Sequence, residues 1–268
     1  MIEASEVVYK TADGYSLTDK AKVYYLMDSP LFEPLAPPNI AKKYLKNLQS
    51  GRGEITIKQW EKGESHLPEE WARQQHLYSF PLGFSLYQSG ILQNSQQVLD
   101  VAGGAGSVCI ALALKDPNFK LQMIELPSSI ETAELMISKY NVMDRIKTIG
   151  MDMFTGEWPQ ENDAILFTNI FHDWENDKCQ VLAEKAHAAL QPGGLISLQE
   201  VLLNEDEPDD LWPAHFSLAT ALYTNGRQFY ARELIKILEA AGFVGIQVRP
   251  LLGYYSSVVG VKPSPQNE

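Results

Sequence analysis

From about residue 95 onward the chain alternates short apolar runs with helix-like stretches, and that alternation limits the fold more than any single motif does. "QVLDVAG" leads through a glycine turn to "SVCIALALKD", and "KLQMIEL" leads to "SSIETAELMISKYN". Then come "RIKTIG", "DAILFTN" and "GLISLQEVLL", with "DKCQVLAEKAHAAL" between the last two. Runs of this length in this order make βαβ units and a parallel sheet covered on both faces. "LQPGG" predicts a helix end and a Pro-Gly stop before the next strand. "FVGIQVRPLLGYYSSVVGV" predicts an antiparallel hairpin that finishes the sheet. The expected fold class is α/β: a mostly parallel sheet with a C-terminal antiparallel hairpin, plus a short, mostly helical N-terminal segment.

Residues 1–94 are less regular. A turn is expected at Asp13–Gly14, and Thr18 is placed to cap a helix with Val23 and Leu26 on its apolar face. "LFEPLAPPNI" is a proline-rich break. "LPEEWARQQHLYSFPLGFSLYQSG" reads as a helix up to Phe80, with Pro81 breaking or kinking it. The domain boundary is expected near residues 92–96, giving an N-terminal part, 1–94, and a main domain, 95–268.

A chain of 268 residues has room for such an α/β domain with a smaller companion. Its net charge of -12 disfavours nucleic acid and anionic membrane as partners, since both call for a basic face. The two cysteines, Cys109 and Cys179, lie far apart without metal-ligand spacing, so neither a disulfide framework nor a metal site is expected. That usage suits a reducing compartment. "MIEASEVVYK" lacks the basic and apolar blocks of a secretion signal, and no apolar run approaches the ~20 residues that span a bilayer. A cytoplasmic protein is expected.

The turn "LDVAGGAGSV" follows a strand and opens a helix, a setting where glycines let the backbone approach a ligand and free N–H groups face it. A tight turn without a ligand is the plain alternative. A dinucleotide fingerprint requires G-x-G-x-x-G. Here Gly104 and Gly106 are followed by Cys109, and a start at Gly103 fails because position 105 is alanine. The run reads instead as an acid followed by small residues at alternate positions: Asp100, Ala102, Gly104 and Gly106. This is similar to the D-x-G-x-G-x-G loop of Rossmann-like S-adenosylmethionine (SAM) methyltransferases, with Ala102 replacing the first glycine.

Glu125, about 20 residues on, ends the next strand and is placed to accept hydrogen bonds from both hydroxyls of an adenosine ribose. Asp152, after the third strand, is placed to accept from an adenine amine, with Met153 or Phe154 against the ring. Three such residues after consecutive strands point to a nucleoside site; Leu126 and Asn169 are further candidates for it, and Trp174 either packs near the adenine or belongs to the core. "TNIFHDWEND" then sets an imidazole, a carboxylate and an indole, His172, Asp173 and Trp174, where an apolar run surfaces. This is either a strand end before a helix cap or an active site. An imidazole with the ordinary pKa of ~6.5 is a competent base at neutral pH. Asp173 and Asp177 read mainly as helix-capping residues.

Taken in order, "LDVAGGAGS", "IELPSSI", "GMDMF", "FHDWENDKC", "LQPGGLISLQEVLL" and "NGRQFYARE" before "LEAAGF" resemble the catalytic domain of the plant-type caffeate/isoflavone O-methyltransferase family and its bacterial relatives. The resemblance covers residues 95–263. It implies the SAM methyltransferase fold, SAM as cofactor, S-adenosylhomocysteine (SAH) as product, and methylation of a phenol or enol hydroxyl on a small aromatic secondary metabolite. It makes His172 the general base and matches a family acid to Glu200, placed to orient the imidazole and stabilise its protonated form. The second family acid, in "GG-[KR]-E-R-T", falls at Gln228, which hydrogen-bonds but cannot offset imidazolium charge. "DLWPAHFSLATALYTNG" is expected to be a helix whose face of Phe216, Ala219 and Tyr223 borders the acceptor, with His215 nearby. Phe32, Tyr78, Phe80 and Phe84 are available to wall an aromatic substrate, and core packing explains each of them equally well. In-line positioning in a dry pocket carries such a reaction without a metal.

Family members carry a longer region before the glycine loop, comprising a helical dimerisation domain and a winged helix. "TADGYSLTDKAKVYYLMDSP" resembles only the last part of it. Either a homodimer with a reduced interface or a monomer with a more open pocket follows. Gln228 keeps open a SAM-binding relative diverted to decarboxylation, hydroxylation or pericyclic chemistry. A non-catalytic binding protein would tolerate the loss of His172, and a nicotinamide oxidoreductase fails on the glycine spacing.

Overall fold

The computed structural model describes residues 8–11, 14–17, 69–204, 211–224 and 226–264. The expected Thr18 helix, the proline-rich break and Phe32 lie outside the described residues. Near the N-terminus, β1 (Val8–Thr11) pairs antiparallel with β2 (Gly14–Leu17). Thr11 faces Gly14 in that register, so the chain reverses where the Asp13–Gly14 turn was expected.

Helix α1 (Glu69–Gln88) leads into β3 (Gln97–Val101), α2 (Ser107–Lys115), β4 (Lys120–Glu125), α3 (Ile130–Ser138) and β5 (Ile146–Gly150). Then follow β6 (Asn162–Thr168), α4 (Asn176–Ala189), β7 (Leu190–Val201), α5 (Leu211–Tyr223), α6 (Ala231–Ala240), β8 (Val244–Pro250) and β9 (Tyr255–Val261). Seven strands form one sheet in the order β5-β4-β3-β6-β7-β9-β8. The pairs from β5 to β7 are parallel, and β9 is antiparallel to both β7 and β8. The fold class is therefore as expected. The order reverses between β3 and β6, and in open α/β sheets the crevice at the carboxyl ends of such strands is where ligands bind.

The near-continuous apolar runs follow from burial on both faces. Along β3, Val98 belongs to the core under α1, α2 and α3, while Leu99 belongs to the core under α4 and α6. β6 divides likewise, with Ala164 and Leu166 on the first side and Ile165 and Phe167 on the second. Helix α2 is buried from Ser107 to Ala113 because α1 covers the face turned away from the sheet.

Two expectations change in this frame. Helix α1 does not end at Phe80 but runs through Pro81 to Gln88. The proline removes one helical hydrogen bond, and packing offsets that loss. Gly83 lies so close to α2 that a Cβ there would stand 2.7 Å from the Ala111 Cβ. The second concerns "LQPGG", where β7 starts at Leu190 with no intervening loop. Gly193, at φ +82°, donates to the Lys262 carbonyl at 2.9 Å, so the Pro-Gly segment is already tied to the end of β9. No helix among the described residues is long and apolar enough to cross a membrane.

Candidate active site

The glycine loop joins β3 to α2 through three left-handed residues, Ala102 (φ 55°), Gly104 (φ 57°) and Gly106 (φ 75°). Their neighbours show why the side chains are small. A Cβ on Gly106 would stand 3.0 Å from the Ile137 Cγ1, whereas one on Gly104 would meet nothing within 4 Å. Gly106 is therefore fixed by packing, and Gly104 borders open space. Ala102 holds a conformation natural to glycine, at a cost of roughly 1–2 kcal/mol for an L-residue.

Glu125 reaches across from β4, its Oε2 accepting from the Gly104 N–H at 2.9 Å and its Oε1 from the Leu126 N–H at 2.7 Å. Burial raises its pKa, and these two backbone donors pull it back. Each carboxylate oxygen has a second lone pair, so the acid can still accept from a ligand. Asp100 is buried beneath the loop, where the Cys109 thiol donates to Oδ2 at 3.7 Å and Oδ1 has no partner. Burial lifts its pKa to about 7, Cys109 opposes the lift, and the Glu125 charge adds to it.

His172 sits in the 3-10 turn Phe171–Asp173 at the carboxyl end of β6 and is buried. Its Nδ1 lies 2.8 Å from the Glu200 Oε2, an ion-pair contact off the line of a straight hydrogen bond. The other Glu200 oxygen accepts the N–H groups of Phe171 at 2.9 Å, Ile170 at 3.2 Å and His172 at 3.4 Å. One buried carboxylate thus holds both the turn and the ring it carries. Nε2 is left facing Asp173, with Oδ1 at 3.6 Å. Burial alone would lower the imidazole pKa. The charges of Glu200 and then Asp173 outweigh it and lift His172 to about 9. Burial pushes Asp173 up to about 6, against the pull of His172.

Gln228 is buried, with Nε2 donating to the Thr220 Oγ1 at 3.0 Å and Oε1 left without an aligned donor. Its approach depends on Gly226, whose Cα packs against the backbone of His172 and Asp173. A Cβ there would collide with the His172 carbonyl oxygen and stand 2.6 Å from the Asp173 carbonyl carbon.

The family model of the O-methyltransferase domain matches residues 79–244. The chain belongs to the O-methyltransferase family. Relatives include acetylserotonin O-methyltransferase of Gallus gallus, 31% identical over 62% of this chain and 47% of that protein. Another is 3-hydroxy-5-methyl-1-naphthoate 3-O-methyltransferase of Streptomyces sahachiroi, 27% identical over 67% of this chain and 52% of the relative. The chain thus spans about half the length of these relatives. Among solved structures, human N-acetylserotonin methyltransferase in complex with SAM superposes with a TM-score of 0.76 at 20% identity, covering 98% of this chain and 81% of that one. That likeness concerns the fold.

Seen as an O-methyltransferase family site, the sequence-expected residues divide. His172, Glu200 and Gln228 gather after β6 and β7, and the Glu125–Gly104 contact lies at the ends of β4 and β3, on the other side of the switch point. Asn169 follows β6 at φ 56°, with its Oδ1 buried and unpartnered. Asp152 spends both oxygens on its own loop, accepting from the Phe154 N–H at 2.8 Å and the Thr155 hydroxyl at 3.0 Å. Met153 is buried and its carbonyl accepts the Trp158 indole N–H at 2.9 Å. Phe154 meets buried Trp174 edge-on at 4.7 Å and carries the Lys178 Nζ over its ring at 4.8 Å.

On the expected acceptor side, Phe216 stands edge-on to His172 at 5.6 Å and Ala219 is half-buried. His215 is exposed, and the Tyr223 side chain lies outside the described residues. Tyr78 is 59% exposed. Phe80 is a correction. It stacks on buried His76 at 4.6 Å and packs beside Tyr140 at 5.1 Å, inside the α1–α2–α3 core, because α1 continues as helix past it. Phe84 packs against the same core.

Two site residues escaped the sequence reading. Asp173 is no helix cap: α4 starts from Glu175 with no side-chain cap, and Asp173 faces the imidazole instead. The adjacent "HD" was the available signal. Asp177 does bond locally, accepting from the Lys178 N–H at 2.8 Å. Tyr255 reaches the site through register alone, since β9 places it opposite Val201, beside Glu200. Burial raises its pKa, hydrogen bonding to Asn169 opposes this, and Glu200 and Tyr78 raise it further.

Proposed function

We propose that the protein is a SAM-dependent O-methyltransferase that methylates a hydroxyl on a small aromatic secondary metabolite, with His172 as general base. The observation that carries the proposal is the buried His172–Glu200 pair at 2.8 Å, set at the sheet's switch point across from the glycine loop. Relatives named for naphthoate and chavicol support the acceptor class. The cofactor fit rests on open space over Gly104, the Glu125 carboxylate spanning the loop, and the orphaned Asn169 Oδ1.

In this reading Glu125 would accept from the ribose hydroxyls, the open space over Gly104 would let the ligand lie against the loop, and Asn169 would offer Oδ1 to a donor. Leu126, Met153, Phe154 and Trp174 give the apolar wall, while Asp100 and Asp152 act indirectly by shaping their loops. SAM supplies a methyl group on a positively charged sulfur. Glu200 fixes the tautomer by holding Nδ1–H, so the Nε2 lone pair is the one available to an acceptor hydroxyl. Nε2 takes the hydroxyl proton as the oxygen attacks, and Asp173 with Glu200 balances the resulting imidazolium. Asp173 thereby supplies the second negative charge that Gln228 cannot. In the ligand-free site His172 carries its proton at neutral pH. A neighbouring positive charge makes it easier to release.

Calorimetric titration with SAH, with NAD as control, tests the cofactor assignment. Micromolar SAH binding and no NAD binding is expected. Absence of SAH binding would overturn the assignment.

A further inference from the structure

Beyond Phe216 the aromatic surface continues outward. Phe216 lies edge-on to the imidazole, with an interplanar angle of 89°. One helical turn earlier on α5, the Trp212 ring is nearly parallel to Phe216, at 9° and 6.5 Å between centroids. The β8–β9 turn then brings Tyr254 to within 6.1 Å of Trp212 at 31°. That turn is pinned by the Leu251 N–H on the Tyr255 carbonyl at 2.8 Å and bent at Gly253, φ 60°.

Three elements far apart in sequence therefore build one row of rings: His172, Phe216, Trp212, Tyr254. Its outer members are not core. Trp212 is 46% exposed and Tyr254 53% exposed, so neither is explained by burial. Large aromatic faces held open beside a reactive group suit a flat apolar ligand.

We propose that Trp212 and Tyr254 form an outer acceptor subsite that favours hydroxylated compounds with several fused rings over single-ring phenols. The proposal rests on the reading of His172 as the group that meets the acceptor hydroxyl. With the hydroxyl at Nε2, a single ring reaches Phe216 only. A longer fused system runs on along the parallel faces of Phe216 and Trp212, and Tyr254 closes the far end. Phe216, Trp212 and Tyr254 carry no charge, so this outer part of the row selects by planar extent and not by charge.

The test is an equilibrium titration of the SAH-loaded protein with phenol, 2-naphthol and anthracen-2-ol, for the wild type, Trp212→Ala and Tyr254→Ala. Because both residues are largely exposed, neither variant threatens the fold. Larger rings bind more tightly to any apolar surface, so the readout is the anthracen-2-ol to phenol affinity ratio compared between proteins. A loss of roughly tenfold or more in that ratio is expected for Trp212→Ala, with a smaller loss for Tyr254→Ala. Variants that keep the wild-type ratio would overturn the subsite. Methyl transfer is read separately with SAM. A preserved ratio effect without turnover would sink the methyltransferase reading and leave the subsite standing, while turnover without the ratio effect would sink the subsite alone.

Discussion

Replacing Glu200 by glutamine exchanges one carboxylate oxygen for an amide NH2 and separates the two tasks of this side chain. The first is structural. An amide oxygen in the Oε1 position still accepts from the Phe171 and Ile170 N–H groups, so the turn survives. The second is electrostatic, and it is lost. Burial lowers the His172 pKa, and Glu200 is the foremost influence that lifts it to about 9 instead. A lift from 6.5 to about 9 is worth about 3 kcal/mol of imidazolium stabilisation, at 1.36 kcal/mol per pH unit. If the imidazolium develops in the transition state, that converts to a ~10²–10³-fold fall in kcat. An amide NH2 facing Nδ1 also favours the wrong tautomer, which extends the fall toward ~10⁴-fold. The assay is methyl transfer to 2-naphthol from pH 5.5 to 10, with SAH affinity and thermal unfolding in parallel. In the wild type, kcat/KM should rise about tenfold per pH unit and level off below 9, because bound SAM eases the loss of the His172 proton. In Glu200→Gln the rise should move to lower pH, with a low plateau and an unfolding midpoint within a few degrees of the wild type. Glu200→Ala serves as contrast. It strips an acceptor from the buried N–H groups of Phe171 and His172, each costing ~1–3 kcal/mol, and from the half-buried one of Ile170, and so destabilises the fold as well. A Glu200→Gln enzyme with wild-type kcat and an unmoved pH rise would refute this reasoning.

Two further substitutions follow from the same geometry. The folded-state pKa of Asp100, about 7, lies above its usual 3.8, so its contribution to stability is fully present below 3.8 and lost as pH rises through 7. Asp100→Asn should therefore stabilise the protein at pH 8 by up to a few kcal/mol and leave it little changed at pH 4, as denaturant titration at both pH values would show. Gly226→Ala should reduce kcat by ~10²-fold or more while SAH affinity changes little, because the added Cβ collides with the His172 carbonyl and displaces the base. Calorimetry beside turnover checks that split.

The parallel half of the sheet was legible because both of its faces are buried. β3 and β6 send alternate residues into two cores, so they read as unbroken apolar runs between helix-length segments. The hairpin showed itself through two strand-like runs around Gly253. Helix α1 was cut short at Phe80 because Pro81 is a local signal, whereas the contact that overrides it, Gly83 against Ala111, is tertiary. Phe80 was misplaced for the same reason. At the site, His172 and Glu200 stood at strand ends and could be read one strand at a time. Asp173 looked like a cap because acids before helices usually are, and only the 3-10 turn shows it facing the ring. Tyr255 and Trp212 depend on how β9 registers with β7 and how α5 meets the last turn, which no local pattern encodes.

The central claim is that His172 is the base of a methyl transfer. Its most direct test is the mass gain of one methyl group on 2-naphthol with SAM, for wild type and His172→Ala at matched SAH affinity. The account predicts transfer by the wild type and a loss of ~10²–10⁴-fold in the variant with SAH binding intact. Equal turnover by both proteins would contradict it.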